Sequence, residues 1–145
     1  MTTRTVSNSG GNFNSGTTWV EGIVPTIADD VVFTVTSGNL NITANAVCRS
    51  YDETNWIGTL THGSFSLSIG NATGGNLKMV TGATYTPTTS TSCRIILVST
   101  AAACNITTVG KTLRNLNFNS WKCLHIFFAR QLSFKWSSIS KRWKF

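Results

Sequence analysis

Charged side chains are scarce in this chain of 145 residues. Asp, Glu, Lys and Arg make up 12% of it, whereas they account for about a quarter of an average globular domain. With five acidic residues and two histidines, the chain offers few groups for acid–base catalysis or metal binding. Thr, Ser, Asn and Gly are abundant instead. That composition is typical of an all-β protein with many exposed turns.

Long apolar segments are absent as well. No window approaches the roughly 18 consecutive apolar residues of a transmembrane helix, so the sequence predicts no membrane span. Polar residues follow Met1–Arg4, and no apolar stretch of a signal peptide is visible. The four cysteines, Cys48, Cys93, Cys104 and Cys123, form no C-x-x-C pair. We interpret them as small buried apolar side chains in a reducing compartment.

Most of the net charge of +7 lies at the C-terminus. Residues 1–120 contain six basic and five acidic side chains and are therefore nearly neutral, whereas residues 121–145 contain six basic and no acidic ones. The near-neutral body argues against a nucleic-acid-binding protein. Residues 121–145 also lack Gly, Pro and Thr, and they hold three of the five tryptophans. The composition therefore changes sharply after Ser120.

Three explanations are open for residues 121–145. In the first explanation, the reading frame has been cut or has slipped, and the segment is a remnant. Alternatively the segment is a capping helix, since its apolar residues Cys123, Phe127, Phe128, Leu132 and Trp136 fall near helical spacing. In the third explanation its basic and aromatic side chains contact nucleic acid or a membrane surface.

Short apolar segments recur between small polar turns from Asn39 to Phe118. They are Leu40–Ile42, Gly58–Leu60, Leu77–Met79, Ile95–Val98 and Leu113–Leu116, with an additional segment at Phe65–Ile69. Their spacing of roughly 18 to 20 residues lies in the range of solenoid repeats. Each segment is too short to bury its own apolar face, so we expect it to stack on its neighbours. The pattern predicts a β-solenoid whose coils, here called rungs, span residues 37–120.

Alternation within the segments predicts which side chains face inward. Leu67 and Ile69 alternate with Ser66 and Ser68, and we expect the aliphatic side chains to form the core. We also expect Ile96 and Leu116 in the rung core, so that Asp at either position would unfold the chain. A β-sandwich or jelly roll would contain similar strands. The regular spacing and the absence of Asn-Gly and Asp-Gly hairpin turns favour the solenoid.

Asn and Gly recur at the predicted bends, as in Gly38-Asn39, Gly70-Asn71 and Gly74-Gly75-Asn76. Glycine there supplies positive φ angles, and stacked Asn side chains form ladders between coils. Residues 1–36 are predicted to form an N-terminal cap and the first strand. In that segment Phe13 and Trp19 cover the first rung, and the β-branched run Val31–Val35 is the strand.

Two parts of the sequence carry a family resemblance. The first comprises Gly11-Asn12-Phe13, Thr18-Trp19, Val24-Pro25-Thr26 and Ala28–Val32, and the second is Ile106–Asn119. Together they resemble the N-terminal part of β-helical surface proteins of bacteria and tailed phages, such as tail fibres and tailspikes. The resemblance covers most of residues 10–119. It implies a right-handed parallel β-helix and a virion or extracellular location; many such solenoids are trimers or parts of longer chains.

No set of residues stands out as an active site. His62 is interpreted as a loop residue beside Gly63, and His125 lies in the C-terminal segment; neither has a partner at metal-ligand or nucleophile–base spacing. The pairs Asp29-Asp30 and Asp52-Glu53 point to opposite faces if extended, so neither forms a glycosidase pair. Calcium at Asp29 and Asp30 is the alternative to a simple turn before the strand.

These observations favour a structural or adhesive module over an enzyme. We predict no catalytic residue, no cofactor and no metal, and the sequence assigns no ligand-binding residue. The expected role is to present a rigid polar β-face to a host-surface glycan or to other virion proteins. The alternative is a fragment of a β-helical polysaccharide-degrading enzyme, which would need a carboxylate cluster on one face.

Overall fold

The structure is a computed structural model that describes residues 1–100 and 105–119. Over these residues the chain forms a β-solenoid of about five rungs with almost no helix. One five-stranded and two four-stranded sheets run along the solenoid. All pairs between the named strands are parallel. The prediction of an all-β parallel solenoid is therefore confirmed, and the sandwich alternative, which requires antiparallel pairs, is not.

Each complete rung contributes one strand to each sheet. In chain order the strands are β1 (Thr2–Thr5), β2 (Gly11–Asn12), β3 (Asp29–Val32), β4 (Leu40–Ile42), β5 (Ala46–Cys48), β6 (Ser50–Asp52), β7 (Thr59–His62), β8 (Ser66–Ile69), β9 (Leu77–Lys78), β10 (Thr84–Pro87), β11 (Arg94–Leu97), β12 (Ile106–Thr107) and β13 (Leu116–Phe118). Sheet 1 has the order β1-β3-β6-β9-β12, sheet 2 the order β2-β4-β7-β10, and sheet 3 the order β5-β8-β11-β13. A single turn of 3₁₀ helix spans Gly16–Thr18.

The rungs are less regular than the predicted spacing, and several of them are longer. Leu40 pairs with Leu60, but Leu60 pairs next with Tyr85, because Leu77 belongs to sheet 1 and not to sheet 2. In sheet 1, Leu77 pairs with Ile106. The segments that recur along the sequence therefore belong to different sheets, and the predicted spacing of 18 to 20 residues holds from Leu40 to Leu60 but is not a constant rung length. The additional segment Phe65–Ile69 contains β8, a full member of sheet 3.

Inward side chains stack in columns along the solenoid. Leu67 and Ile69 are buried while Ser66 and Ser68 face outward, as predicted. The prediction for Ile96 was wrong: Ile95 and Leu97 are buried, and Ile96 lies on the outer face between them. A run of four apolar residues carries no alternation, so the sequence did not reveal which of them face inward. Leu116 is half-buried and packs against the core.

Residues near the N-terminus cover the outer edge of sheet 1. The Val20 N–H donates to the Thr5 carbonyl at 2.9 Å, and the Ser7 N–H donates to the Thr18 carbonyl at 2.8 Å. Phe13 and Trp19 are buried in edge-to-face contact with their ring centroids 5.0 Å apart, and the Trp19 Nε1–H donates to the Phe13 carbonyl. The two backbone bonds satisfy groups at or next to β1 that would otherwise form an exposed sheet edge.

The predicted run Val31–Val35 overlaps β3, which begins at Asp29 and ends at Val32. Val31 and Phe33 point into the core, whereas Val35 is exposed. Phe33 stacks on Trp56 with ring centroids 4.1 Å apart. The strand therefore ends before the β-branched run does, and Phe33 fills the corner that follows it.

Asparagine side chains connect successive rungs through hydrogen bonds to the backbone. Asn39 Oδ1 accepts the Thr59 N–H at 2.9 Å, and Asn45 Oδ1 accepts the Ser66 N–H at 3.0 Å. These bonds join an Asn side-chain oxygen to a backbone N–H of the next rung, and so differ from the predicted ladder of stacked Asn side chains. Gly70 has a positive φ angle of 112°, and a Cβ atom there would lie 2.6 Å from the Ser99 backbone nitrogen. Gly38, in contrast, has no positive φ angle.

Asn45→Ala is expected to destabilise the protein by about 1 kcal/mol, the net value of one such hydrogen bond. The Ser66 N–H and hydroxyl, both bonded to Asn45 Oδ1, lose their acceptor. Asn41→Ala is the matched control, because the Asn41 side chain makes no hydrogen bond to any other described residue. Urea unfolding of both variants measures the contribution of the Asn45 hydrogen bonds to stability, and equal stabilities would show that these bonds contribute nothing.

Cys48 and Cys93 are buried and free, as predicted for these two residues. Burial raises the pKa of the Cys48 thiol above its ordinary value, which disfavours the reactive thiolate. Cys104, Cys123 and the three explanations for residues 121–145 fall outside the described residues. Within residues 1–100 and 105–119, no helix has the length and hydrophobicity that a membrane crossing requires.

Candidate functional site

The outer face of sheet 1 carries two columns of side chains that strand pairing keeps in register. One column contains Asp30, Ser50, Asn76 and Asn105, and the other contains Val32, Asp52, Lys78 and Thr107. Asn76 and Lys78 both face outward because Leu77 between them is buried in the core. Hydrogen-bonding groups from four rungs are thereby brought together on one surface.

A shallow groove of about 440 Å³ lies on this face. It is lined by Asp52, Asn76, Leu77, Lys78, Asn105 and Thr107. The Lys78 ammonium group lies 3.8 Å from Asp52 Oδ1 and donates to the Thr54 hydroxyl at 2.6 Å. Asp52 Oδ1 also accepts the Thr54 N–H at 2.8 Å. The two charged side chains of the groove therefore form an ion pair that is partly exposed to solvent.

Several polar groups of the groove are available to a ligand. Asn76 Oδ1 accepts the Asn105 N–H at 2.9 Å, which leaves the Asn76 amide nitrogen as a donor. Among the described residues, Asp52 Oδ2 and the side chains of Asn105 and Thr107 have no hydrogen-bond partner. The groove thus offers donors and acceptors side by side on a backbone that strand pairing holds rigid.

The outer face of sheet 2 is also polar, but it carries no charge among the described residues. Its outward side chains are Asn12, Asn41, Thr61 and Thr86, which strand pairing keeps in register, together with Thr59 and Thr84. Asn12, Thr61 and Thr86 are exposed. This face is therefore a regular array of hydroxyl and amide groups.

Asp29 and Asp30 are engaged by arginines. Asp29 is 4% exposed; its Oδ2 accepts the Thr26 N–H at 2.9 Å and lies 3.6 Å from Arg4 Nε. Burial acts to raise the pKa of Asp29, but the hydrogen bonds from Thr26 and the charge of Arg4 outweigh it, so the pKa lies below its usual value. Asp30 pairs with Arg49. Each of the two carboxylates therefore has an arginine beside it.

Asp52 and Glu53 point in opposite directions, as the sequence predicted. Asp52 faces the groove, whereas Glu53 is fully buried, and its Oε2 accepts the Val80 N–H at 3.1 Å. Burial raises the pKa of Glu53 to about 7, although the Val80 N–H, the charge of Lys111 and the nearby Tyr51 hydroxyl act in the opposite direction. Asp52 therefore has Lys78 as its neighbour, and Glu53 is inaccessible to a ligand on the surface.

The interpretation of His62 as a loop residue was wrong. His62 is the last residue of β7 and is fully buried. Its Nε2 lies 3.0 Å from the Phe65 carbonyl, so Nε2 carries the proton and Nδ1 accepts a hydrogen bond from the Tyr85 hydroxyl at 2.8 Å. Burial lowers the pKa of His62, while the Phe65 carbonyl acts in the opposite direction. His62 is a neutral core residue, as the alternation with Leu60 could have indicated.

The fold is a β-solenoid with a largely apolar interior and with polar outer faces on sheets 1 and 2. No family model matches the chain, and no curated protein or solved structure matches it either. Its assignment to this class therefore rests on its strand register. A fold of this kind is consistent with a structural or surface module.

Proposed function

We propose that this protein is a structural and adhesive module of a virion or cell surface, and that it presents its polar β-faces to a glycan or a protein partner. The observation that supports this most strongly is the alignment of outward polar side chains across successive rungs of sheets 1 and 2. Adjacent strands lie about 4.8 Å apart, so each column repeats a polar group at that interval. A ligand with many hydroxyl or amide groups suits such a surface.

The rigidity of the faces supports a binding role. The side chains that lie between the outward ones, such as Leu60 and Leu77, are buried and fix the backbone on which the polar groups sit. Fewer degrees of freedom then have to be frozen when a ligand binds. A catalytic role has less support, because two carboxylates would have to reach one substrate. Asp52 lies beside Lys78 on the surface, whereas Glu53 is fully buried.

The location and the partners belong to the same proposal. The resemblance of residues 10–119 to β-helical tail fibres and tailspikes supports a virion or extracellular surface, a host-surface glycan or other virion proteins as partners, and assembly into a homotrimer. The near-neutral charge of residues 1–120 is also compatible with a glycan partner, since a glycan need not carry charge.

A glycan array tests the proposal. The purified full-length chain is expected to bind a restricted set of glycans, and the same chain unfolded by heat is expected to lose that binding, because the columns exist only in the folded solenoid. Screening against purified virion or cell-surface proteins tests the protein branch. Binding to neither class, with a folded protein confirmed by circular dichroism, would overturn the proposal.

A further inference from the structure

We propose that His62 and its hydrogen-bond partners form an acid-sensitive joint between two rungs, and that the joint opens when the imidazole gains a proton. The rungs it connects are the one that contains β6, β7 and β8 and the next one, which contains β9, β10 and β11. The joint comprises His62, Phe65, Tyr85 and Thr88 and is here called the His62 joint. It is a conformational device inside the core and does not depend on the proposed function.

Three hydrogen bonds hold the His62 joint together. The Nε2–H of His62 donates to the Phe65 carbonyl at 3.0 Å, which fixes the bend between β7 and β8. Its Nδ1 accepts the Tyr85 hydroxyl at 2.8 Å, and its carbonyl accepts the Thr88 N–H at 2.9 Å. Tyr85 lies in β10 and Thr88 follows β10 directly. One residue therefore fastens the bend of its own rung and ties that rung to the next.

The burial of His62 makes the joint sensitive to pH. His62 is fully buried, and strand pairing places it between Ile42 of β4 and Pro87 of β10, neither of which can compensate a charge. Burial lowers the pKa of His62, while the Phe65 carbonyl acts in the opposite direction. An imidazole released into water takes up a proton near its ordinary pKa of 6.5. The free energy that closes the joint is therefore fully present above pH 6.5 and is lost as the pH falls below it.

A second proton on the imidazole also disrupts the bond to Tyr85. Nδ1 then carries a hydrogen and can only donate, so the Tyr85 oxygen has to accept and its own hydrogen has to turn to another acceptor. Cys93, in the turn before β11, is the thiol that acts on Tyr85. Its sulfur is a weak acceptor, and its own hydrogen bond goes to the His62 carbonyl at 3.6 Å. The hydrogen bond between the two rungs is thereby weakened.

No negative charge compensates the protonated imidazole. Within residues 1–100 and 105–119, no carboxylate forms a salt bridge with His62. The acid that acts on Tyr85 from further away is Glu53. Burial raises the pKa of Glu53 to about 7, so in the folded chain this carboxyl is mostly neutral at the pH at which His62 would become charged. The charge on His62 is therefore buried without a partner, and opening the joint to water relieves it.

The experiment is amide hydrogen exchange of the full-length chain at pH 7 and pH 5, measured by NMR and corrected for the intrinsic exchange rates. The Thr88 N–H, which is bonded to the His62 carbonyl, reports opening of the joint. An exposed imidazole with a pKa of 6.5 is mostly protonated at pH 5, so protection at Thr88 is expected to fall by up to about 25-fold between the two pH values. The Phe13 N–H, bonded to the Asn41 carbonyl at 2.9 Å, is the reference in the N-terminal rungs and is expected to keep its protection.

His62→Gln is the variant that removes the titration, because an amide side chain stays neutral at both pH values. We expect the difference in Thr88 protection between pH 7 and pH 5 to disappear in it. His125→Gln is the matched control, since it removes the other histidine of the chain, which lies outside the described residues. It is expected to retain the fall of the wild type. The imidazole resonances of wild-type His62 provide a second measurement and are expected to show the neutral Nε2–H form at pH 7.

Four outcomes would overturn the inference. Equal protection of Thr88 at both pH values would show that His62 does not control the joint. A fall that persists in His62→Gln would assign the effect to another group. An equal fall at Phe13 would mean global unfolding, to which Glu53 contributes in the opposite direction. A doubly protonated His62 at pH 7 would show that the buried imidazole carries its charge without opening the joint. None of these results concerns the binding of a glycan or a protein, so the proposed function would be unaffected.

Discussion

Ile95→Asp is expected to abolish cooperative unfolding, whereas Ile96→Asp is expected to retain it. Ile95 is fully buried in β11, where it pairs with Leu67 on one side and Leu116 on the other. A carboxylate there has no partner, and its burial together with the lost apolar contacts costs roughly 5 kcal/mol or more, which is comparable with the whole stability of a small domain. Thermal unfolding followed by circular dichroism measures the difference.

Ile96 is the matched control because it is adjacent in sequence but lies on the outer face, next to Ser68 and Asn117. Its replacement exposes the new carboxylate to water and is expected to cost less than about 1 kcal/mol. If Ile96→Asp unfolds the chain and Ile95→Asp does not, the inward-facing and outward-facing positions of β11 are the reverse of those described. If both variants melt like the wild type, the rung core is wrongly assigned.

The fold class was accessible from the sequence because its signals are local. Alternation in Ser66–Ile69 identified inward and outward side chains, and the Asn and Gly residues marked the bends. Where alternation was missing, the prediction failed, as at Ile96 in the apolar run Ile95–Val98. The prediction for His62 failed for a related reason, because the adjacent Gly63 suggested a loop. The alternation of β7 places His62 on the same side as Leu60.

The groove could not be predicted from the sequence, because its lining depends on the register between rungs of unequal length. Asp52 and Lys78 are 26 residues apart, and Lys78 and Thr107 are 29 apart. Leu40 and Leu60 in sheet 2 are separated by 20 residues. The connecting turns differ in length, so no fixed offset identifies which residues stack. Asn76 was predicted to lie at a bend, and its position beside Asn105 emerges only from the three-dimensional register.

Glu53→Gln is expected to stabilise the protein, and the gain is expected to grow as the pH rises from about 4.5 to about 7. Burial raises the pKa of Glu53 from its ordinary 4.5 to about 7 in the folded state. The folded chain therefore binds a proton in this interval more tightly than the unfolded chain does, and the stability of the protonated form is lost as the pH rises. Gln stays neutral throughout. The pKa difference corresponds to about 3 kcal/mol at its full extent.

His62 affects the pH dependence of stability in the opposite direction, and its contribution must be separated from that of Glu53. Burial lowers the pKa of His62, so its contribution to stability is present above the ordinary value of 6.5 and is lost as the pH falls below it. Because the variant and the wild type both contain His62, its contribution cancels in the difference between them. Urea unfolding at about pH 4 and about pH 8 gives that difference at both ends of the Glu53 transition.

Asp52→Asn is the control for Glu53→Gln, because it removes the adjacent carboxylate from the solvent-facing side of the same rung. An equal pH-dependent gain in Asp52→Asn would assign the effect to the loss of one negative charge and not to burial. A gain from Glu53→Gln that is the same at both pH values would show that the carboxylate of Glu53 is no harder to ionise in the folded chain than in the unfolded one. A gain confined to the higher pH would mean that this solenoid holds an ionisable group in its core at a cost in stability that disappears on acidification.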